Sequence, residues 1–311
     1  MRGLYHRDAA GCPDHDLDPI RHGAPGLACR ARRQVAGCAA VPDRLYEKIP
    51  FRHSEIEHRY GPNVHILANP YLLSQLGQLC AKETIQPAIN RLVVDIYSRL
   101  LEDVMNAEFP RVVIDIPTRM IDVTPAGVYR GEVLDRSARA VTVNIARAGA
   151  IPSQTVFDLL NVALDPRRVR QDHIIMSRML GEHEEVVGAG IGGMKIGGDV
   201  EDAFLMFPDP MGATGSSLSE AIHTYKGKVP GRPRRVINLH LVVTPEYLRR
   251  MTRDHPDVVV YAVRLDRGLS APELMETVPG TRWDEERGLT DRQYIVPGGG
   301  GFGEIMNNAY V

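Results

Sequence analysis

The 311-residue chain has little cysteine. Its four thiols are Cys12, Cys29, Cys38 and Cys80, and no Cys-x-x-Cys pair occurs. That excludes a disulfide framework and the common zinc-binding cysteine spacings, and points to a reduced, cytoplasmic protein. Charge of one sign is also missing. Lys plus Arg is 37 and Asp plus Glu is 39, a formal net charge of -2. There is then no global drive toward nucleic acid or an anionic membrane. Long apolar runs are absent too. A run such as residues 258–263 is strand-length, far below the roughly 20 residues that cross a bilayer. The first residues lack the apolar core of a signal peptide. They are rich in Arg, Ala, Gly, Pro and His without apolar periodicity, so residues 1–45 are expected to be a disordered arm before one domain over 46–311.

What is present becomes regular from Asn63. Residues 64–67 read as a short strand, and 70–79 and 89–105 have helical spacing. Leu92, Ile96, Leu100, Leu101 and Val104 fall on one face of the second helix. Residues 111–121 alternate as a strand does, with 127–134 as a hairpin partner. Then one order repeats: apolar run, loop, helix. Residues 140–145 precede a helix over 152–164, 203–207 precede one over 217–225, 236–243 precede one over 246–253, and 258–263 form a further strand. This alternation predicts an α/β fold, a parallel sheet with helices on both faces. Ligands of such sheets sit at the C-terminal ends of strands. The loops after the first two of these runs are therefore where chemistry is expected.

The second of those loops reads Asp209-Pro210-Met211-Gly212-Ala213-Thr214-Gly215-Ser216-Ser217. Small residues let backbone N–H groups converge on an anion, and Thr214, Ser216 and Ser217 add hydroxyls. The helix that follows aims its positive end at the same point. Asp209, at the strand end, suits sugar hydroxyls. Together these make a phosphate cradle beside a ribose acceptor. No lysine follows the glycine, so this is not the loop of nucleoside triphosphatases. An ordinary turn capped by Ser216 would use the same residues.

Asp209 to Ser217 resembles the loop that binds phosphoribosyl pyrophosphate (PRPP) in uracil phosphoribosyltransferases, typically Asp-Pro-Met-Leu-Ala-Thr-Gly-Gly-Ser. Further segments follow in the family's order. Arg147-Ala148-Gly149 is similar to the end of its Leu-Arg-Ala-Gly pyrophosphate loop. Val243-Thr244-Pro245-Glu246 is similar to its Ala-Ala-Pro-Glu turn. Asp266-Arg267-Gly268-Leu269 matches Asp-x-Gly-Leu, and Tyr294-Ile295-Val296-Pro297-Gly298 matches its uracil-binding segment residue for residue. The likeness covers residues 63–311.

The resemblance implies a phosphoribosyltransferase-type parallel sheet with a β-hairpin hood and an N-terminal helical region. It implies transfer of the phosphoribosyl group of PRPP to uracil, giving UMP and pyrophosphate in pyrimidine salvage, with Mg2+ accompanying PRPP. Arg147 and Asp209 would be the catalytic pair. Arg147, Ala148, Gly149 and Arg178 would hold the pyrophosphate. Asp209, Pro210, Met211, Gly212, Ala213, Thr214, Gly215, Ser216 and Ser217 would hold the ribose and 5′-phosphate, with Gly301 also near PRPP. Ile295, Gly300, Gly301 and Phe302 would read uracil. Lys82 and Thr84 resemble part of the family's Lys-x-Thr. A GTP effector and a homo-oligomer, dimer or larger, are implied as well. Another base, or a PRPP- or nucleotide-binding regulatory role, are the alternatives.

Two departures stand out. The family's Gly-Leu-Gly-Asp-Ala-Gly-Asp is here Gly298-Gly299-Gly300-Gly301-Phe302-Gly303-Glu304, so Gly301 replaces the first acid and Glu304 keeps the charge of the second. Gly212 stands where the family has a bulkier apolar residue. Three other features carry no function at this level. Gly188 to Gly193 spells Gly-x-Gly-x-x-Gly without a strand–helix context, and is expected in a hairpin. The basic stretch Gly231-Arg232-Pro233-Arg234-Arg235 is expected to be a solvated loop. His53, His58 and His65 are irregularly spaced, and no metal is assigned to them.

Overall fold

A computed structural model describes residues 43–180 and 186–309, with backbone alone for 177–180 and 186–189. Of the expected arm, residues 1–42 lie outside the described residues. Its last three do not behave as an arm. Asp43 accepts from the Leu45 N–H at 3.0 Å and caps a 3-10 turn, Arg44–Glu47. The structured part therefore begins before residue 46.

Seven strands run through the main sheet, with a two-residue eighth beside them. They are β1 (Val64–Ile66), β4 (Arg139–Ala146), β5 (Val169–Leu180), β6 (Val186–Lys195), β7 (Ala203–Pro208), β9 (Arg235–Val243) and β10 (Val259–Leu265), in the order β1-β10-β9-β7-β4-β5-β6. The short β8 (Met211–Gly212) pairs with β9. All pairings are parallel except β5 with β6. A separate antiparallel hairpin joins β2 (Arg111–Pro117) to β3 (Val128–Leu134). The α/β expectation and its hairpin therefore hold. The strand expected over 111–121 stops at Pro117, where Thr118 caps a 3-10 turn, Arg119–Asp122.

The helices are amphipathic or capped where the sequence allows. In α1 (Pro70–Cys80) the Asn69 side chain accepts from Tyr71 and Leu72, and Pro70 takes a first-turn position that needs no N–H partner. In α2 (Ala88–Glu108) the residues Ile89, Val93, Ile96, Tyr97, Leu100, Leu101 and Val104 are buried at helical spacing. They pack with α1 and α3 (Ala150–Ala163) on one side of the sheet, against Ile237, Leu239 and Leu241. On the other side α4 (Ser216–Lys228) and α5 (Pro245–Asp254) bury Leu218, Ile222, Tyr225, Tyr247, Leu248 and Met251 against Val236 and Val260. Two core clusters, one per face, are the signature of a doubly covered sheet. Two single-turn helices, α6 (Pro272–Met275) and α7 (Phe302–Ile305), complete the chain. No helix among the described residues is long and apolar enough to cross a membrane.

The loops after β10 are held by one buried ion pair. Arg267 reaches Glu286 Oε1 at 3.1 Å and also donates to the carbonyls of Met275 and Thr277. Glu286 accepts in addition from the Gly280 N–H at 2.8 Å and from the Tyr60 hydroxyl. Glu286→Gln leaves the buried guanidinium without its counter-charge. Thermal or urea unfolding is expected to show a loss of about 2 to 3 kcal/mol.

Candidate active site

β7 ends at Pro208, and the chain turns at once under the end of β9. Asp209 N–H donates to Leu239 O at 3.0 Å, and Met211 N–H donates to Asp209 Oδ1 at 3.0 Å. That one backbone donor does not offset burial, which pushes the Asp209 carboxyl from 3.8 up to about 6. The Asp209 carbonyl is held from behind by a buried chain of polar groups. Asn238 Nδ2 donates to the Tyr247 hydroxyl at 2.8 Å, the hydroxyl meets His240 Nε2 at 2.6 Å, and His240 Nδ1 reaches Asp209 O at 2.6 Å. A carbonyl only accepts, so Nδ1 carries the proton and Nε2 accepts from tyrosine. Burial lowers His240 to about 4, which keeps the ring neutral.

Past Asp209, β8 runs beside β9, and Thr244 N–H donates to Gly212 O at 3.0 Å. A Cβ on Gly212 would lie 2.9 Å from Val243 Cγ1 and 3.1 Å from the Tyr247 ring. Val243 and Tyr247 therefore leave little room for a side chain at this position. Thr244 Oγ1 donates to Ala213 O at 2.7 Å, and Thr214 Oγ1 lies 3.0 Å from Ser216 Oγ. Gly215, at φ 76°, reverses the chain into α4. The Ser217 and Leu218 N–H groups at that helix start have no intrahelical acceptor and face the loop. The result is a set of hydroxyl and amide donors at a helix N-terminus, the arrangement that receives a phosphate.

β4 delivers Arg147, Ala148 and Gly149 to the same end of the sheet, and α3 follows directly. The Arg147 side chain is half exposed, and its Nη2 lies 3.8 Å from Glu304 Oε1. A Cβ on Gly303 would lie about 4 Å from Ala148 and from the Arg147 Cβ, so the C-terminal loop lies against this turn. A Cβ at Gly301 would run into the Glu304 carboxylate. Glu304 therefore occupies the place to which a side chain at 301 would point.

A cavity of about 310 Å³ opens at the ends of β9 and β10, lined by Cys80, Val242, Arg264, Asp266, Pro297 and Gly298 among others. Gly298 N–H donates to Asp266 Oδ2 at 2.7 Å, and Arg264 Nε pairs with Asp266 Oδ1 at 2.6 Å. Burial pushes the Cys80 thiol up to about 11, so it forms a neutral wall. Ile295 is buried and bridges Leu289 in a small hairpin beneath this turn.

The residues expected from the motifs thus converge, with specific exceptions. Phe302 is buried in the core, which leaves only its backbone for a ligand. Arg178 lies on β5 opposite Ala189, and its side chain lies outside the described residues. Thr84 Oγ1 donates to Gln78 O at 2.5 Å and closes α1, and Lys82 is exposed beyond Cys80. The Gly-x-Gly-x-x-Gly string sits within β6 of the β5–β6 hairpin. In the basic stretch, Arg234 lies over the Phe204 ring and Arg235 pairs with Glu108 at 3.1 Å. The support of Asp209 by Asn238, Tyr247 and His240 had no motif. Its only trace in the sequence is two polar residues inside an otherwise apolar strand.

Known proteins resemble the chain in the same way. A family model described as uracil phosphoribosyltransferase matches residues 66–282. The uracil phosphoribosyltransferase of Shouchella clausii (strain KSM-K16) is 29% identical over 247 residues, 78% of this chain and 97% of that protein. That of Rhodococcus jostii (strain RHA1) is 28% identical over 207 residues, 66% of this chain and 88% of that protein. The solved AQ2163 protein from Aquifex aeolicus shares the fold, with a TM-score of 0.59 at 18% identity, over 80% of this chain and 99% of its own. The motifs, their meeting at one end of the sheet and the family match agree, and the chain belongs to the uracil phosphoribosyltransferase family.

Proposed function

We propose that the chain transfers the phosphoribosyl group of PRPP to uracil, forming UMP and pyrophosphate in pyrimidine salvage in the cytoplasm. The observation that carries this reading is the meeting of Arg147 and Glu304 beside the Asp209 loop. A cation and a carboxylate there meet at the end of the sheet that also carries Asp209 and the start of α4.

The donors of Thr214, Ser216 and Ser217 at the start of α4 take the 5′-phosphate. Asp209 takes the ribose hydroxyls, with its backbone fixed by His240. Arg147 and the Ala148–Gly149 turn stabilise the departing pyrophosphate while positive charge develops at the ribose C1. Glu304 orients Arg147. Uracil N1 attacks C1 from the cavity side. Gly298 N–H is committed to Asp266, and the Gly301 carbonyl already accepts from Glu304 and Ile305. Gly299 and Gly300, between them, carry the backbone groups that read the base.

The carboxylates of Asp209 and Glu304 are hard oxygen donors and fit Mg2+. The ion would offset the charge of the pyrophosphate. Regulation by GTP and assembly as a dimer or larger belong to the same reading and rest on the family likeness alone.

Incubation with PRPP, Mg2+ and uracil, followed by chromatography, is expected to give uracil-dependent UMP and pyrophosphate. Turnover with a different free base in uracil's place would overturn the choice of substrate. PRPP binding with no turnover on any base would overturn the enzyme reading.

A further inference from the structure

Residues 51–58 lie along β1 and carry a second polar cluster, built from residues that the PRPP and base loops do not use. Ile56 N–H donates to Ile66 O at 3.0 Å, Ala68 N–H donates to Ser54 O at 2.7 Å, and Glu55 bridges Leu67 in antiparallel fashion. Residues two apart on an extended chain share a face. His53 and Glu55 consequently project toward His65. His53 Nε2 is 3.3 Å from His65 Nδ1, and His65 Nδ1 is 2.8 Å from Glu55 Oε1. His53 Nε2 also meets Glu55 Oε1. One ligand atom from each residue lies within 4.8 Å of the others.

We propose that His53 Nε2, His65 Nδ1 and Glu55 Oε1 form a Zn2+ site, with the fourth position open to water. Zn–N bonds of about 2.0 to 2.1 Å in a tetrahedron place neighbouring ligand atoms about 3.3 Å apart. The two ring nitrogens already have that separation. Glu55 sits closer to both, as a bare carboxylate does, and its side chain is 27% exposed, so it has room to draw back.

The rings are held in place. His65 stacks on Tyr261 with centroids 4.6 Å apart at 24°, and the Tyr261 hydroxyl donates to Glu108 Oε1 at 2.9 Å. His53 meets the same tyrosine edge-on at 5.6 Å. His53 makes its polar contacts through Nε2, and its buried Nδ1 has no partner among the described residues. What sits at Nε2 therefore sets the ring's orientation. Without a cation the cluster is in conflict. If both imidazoles donate to Glu55, their two N–H groups face each other at 3.3 Å. If one does not, a lone pair faces the carboxylate. A dication takes all three lone pairs at once.

Two imidazoles and one carboxylate suit Zn2+ better than Mg2+. His58 Nε2, 3.9 Å from Glu55 Oε2, approaches the carboxylate's other oxygen and lies outside the ligand set. The ion ties residues 51–58 to β1.

The test starts from full-length protein stripped with a chelator and titrated with Zn2+ alone. A site of this set binds one Zn2+ per chain and raises the melting temperature. X-ray absorption of the loaded, unmodified chain should show nitrogen and oxygen neighbours with imidazole scattering. His53→Gln and His65→Gln should each weaken binding by at least about 100-fold, since even residues behind ligands change affinity 10- to 100-fold. Both variants should lose the Zn2+-dependent rise in melting temperature. His58→Gln should stay within about tenfold of the parent, because at 3.9 Å His58 is too far from Glu55 to hydrogen-bond the ligand. Sulfur neighbours would assign the ion to the cysteines and overturn the proposal. So would affinity unchanged in both ligand variants, or no binding at all. The absorption spectrum decides the matter even if a variant fails to fold.

Discussion

Glu304→Gln is expected to lower kcat/KM for PRPP by about 100-fold, the usual scale for losing one preorganised electrostatic partner. The residue lies at the surface, 3.8 Å from Arg147, and such a pair adds little to stability. Its melting temperature should therefore hardly move, which separates a role at the site from a role in folding. The companion variant is sharper. Gly301→Asp restores the family's residue but drives its side chain into the space of the Glu304 carboxylate. Alone it should be more damaging than Glu304→Gln. Combined with Glu304→Ala, it returns one carboxylate to that place and should recover most of the activity. Steady-state kinetics on the three variants decides it. Parent-like activity in Glu304→Gln would make this acid a bystander.

Asp209→Asn should abolish most turnover, by about 1,000-fold, while making the protein more stable near pH 8. The carboxyl is raised from 3.8 to about 6 by burial. A raised carboxyl binds its proton more tightly in the folded state. Its favourable contribution is complete below about pH 4 and is lost as pH rises through about 6. At pH 8 the ionised, partly buried group opposes folding. A raise of about two pKa units is worth roughly 3 kcal/mol at full burial. Partial exposure reduces this, and about 1 to 2 kcal/mol of added stability is expected for the neutral asparagine. At pH 4 parent and variant should unfold alike. Denaturant titrations at the two pH values test this. The parent's kcat/KM should also fall as pH drops through about 6.

Most of this site could be read from the sequence because its parts are local. Asp209 to Ser217 is a strand end, a small-residue loop and a helix start in one stretch, and residue order dictates that geometry. Residues 140–145 and 236–243 were equally plain, because a strand buried on both faces is mostly apolar, and single polar residues such as Asn238 and His240 do not break the run. β5 and β6 were legible only as a hairpin around Gly188 to Gly193, not as strands. The first mixes Arg170, Asp172 and His173 into its length and the second is rich in glycine, so neither has a strand's alternation. Contacts across the chain were hidden for a different reason. Glu304 takes the place of a side chain at 301 only because one helical turn, Phe302–Ile305, folds it back. His53, Glu55 and His65 meet only because an antiparallel bridge aligns them. Spacing along the sequence contains neither fact. The reason for Gly212 is equally remote, because the space a side chain would need there is filled by Val243 on β9 and Tyr247 on α5.

The short pairing of Ser54 to Ile56 with β1 also bears on self-association. An outermost strand offers a row of unpaired amides and carbonyls to any other chain, and is the usual point at which sheets join or aggregate. Here Ile66 O and the Ala68 N–H are already taken by Ile56 and Ser54. A second copy cannot extend the sheet past β1 without first peeling this segment away. Loss of residues 51–58 would therefore expose a sticky margin at β1 long before the core was disturbed.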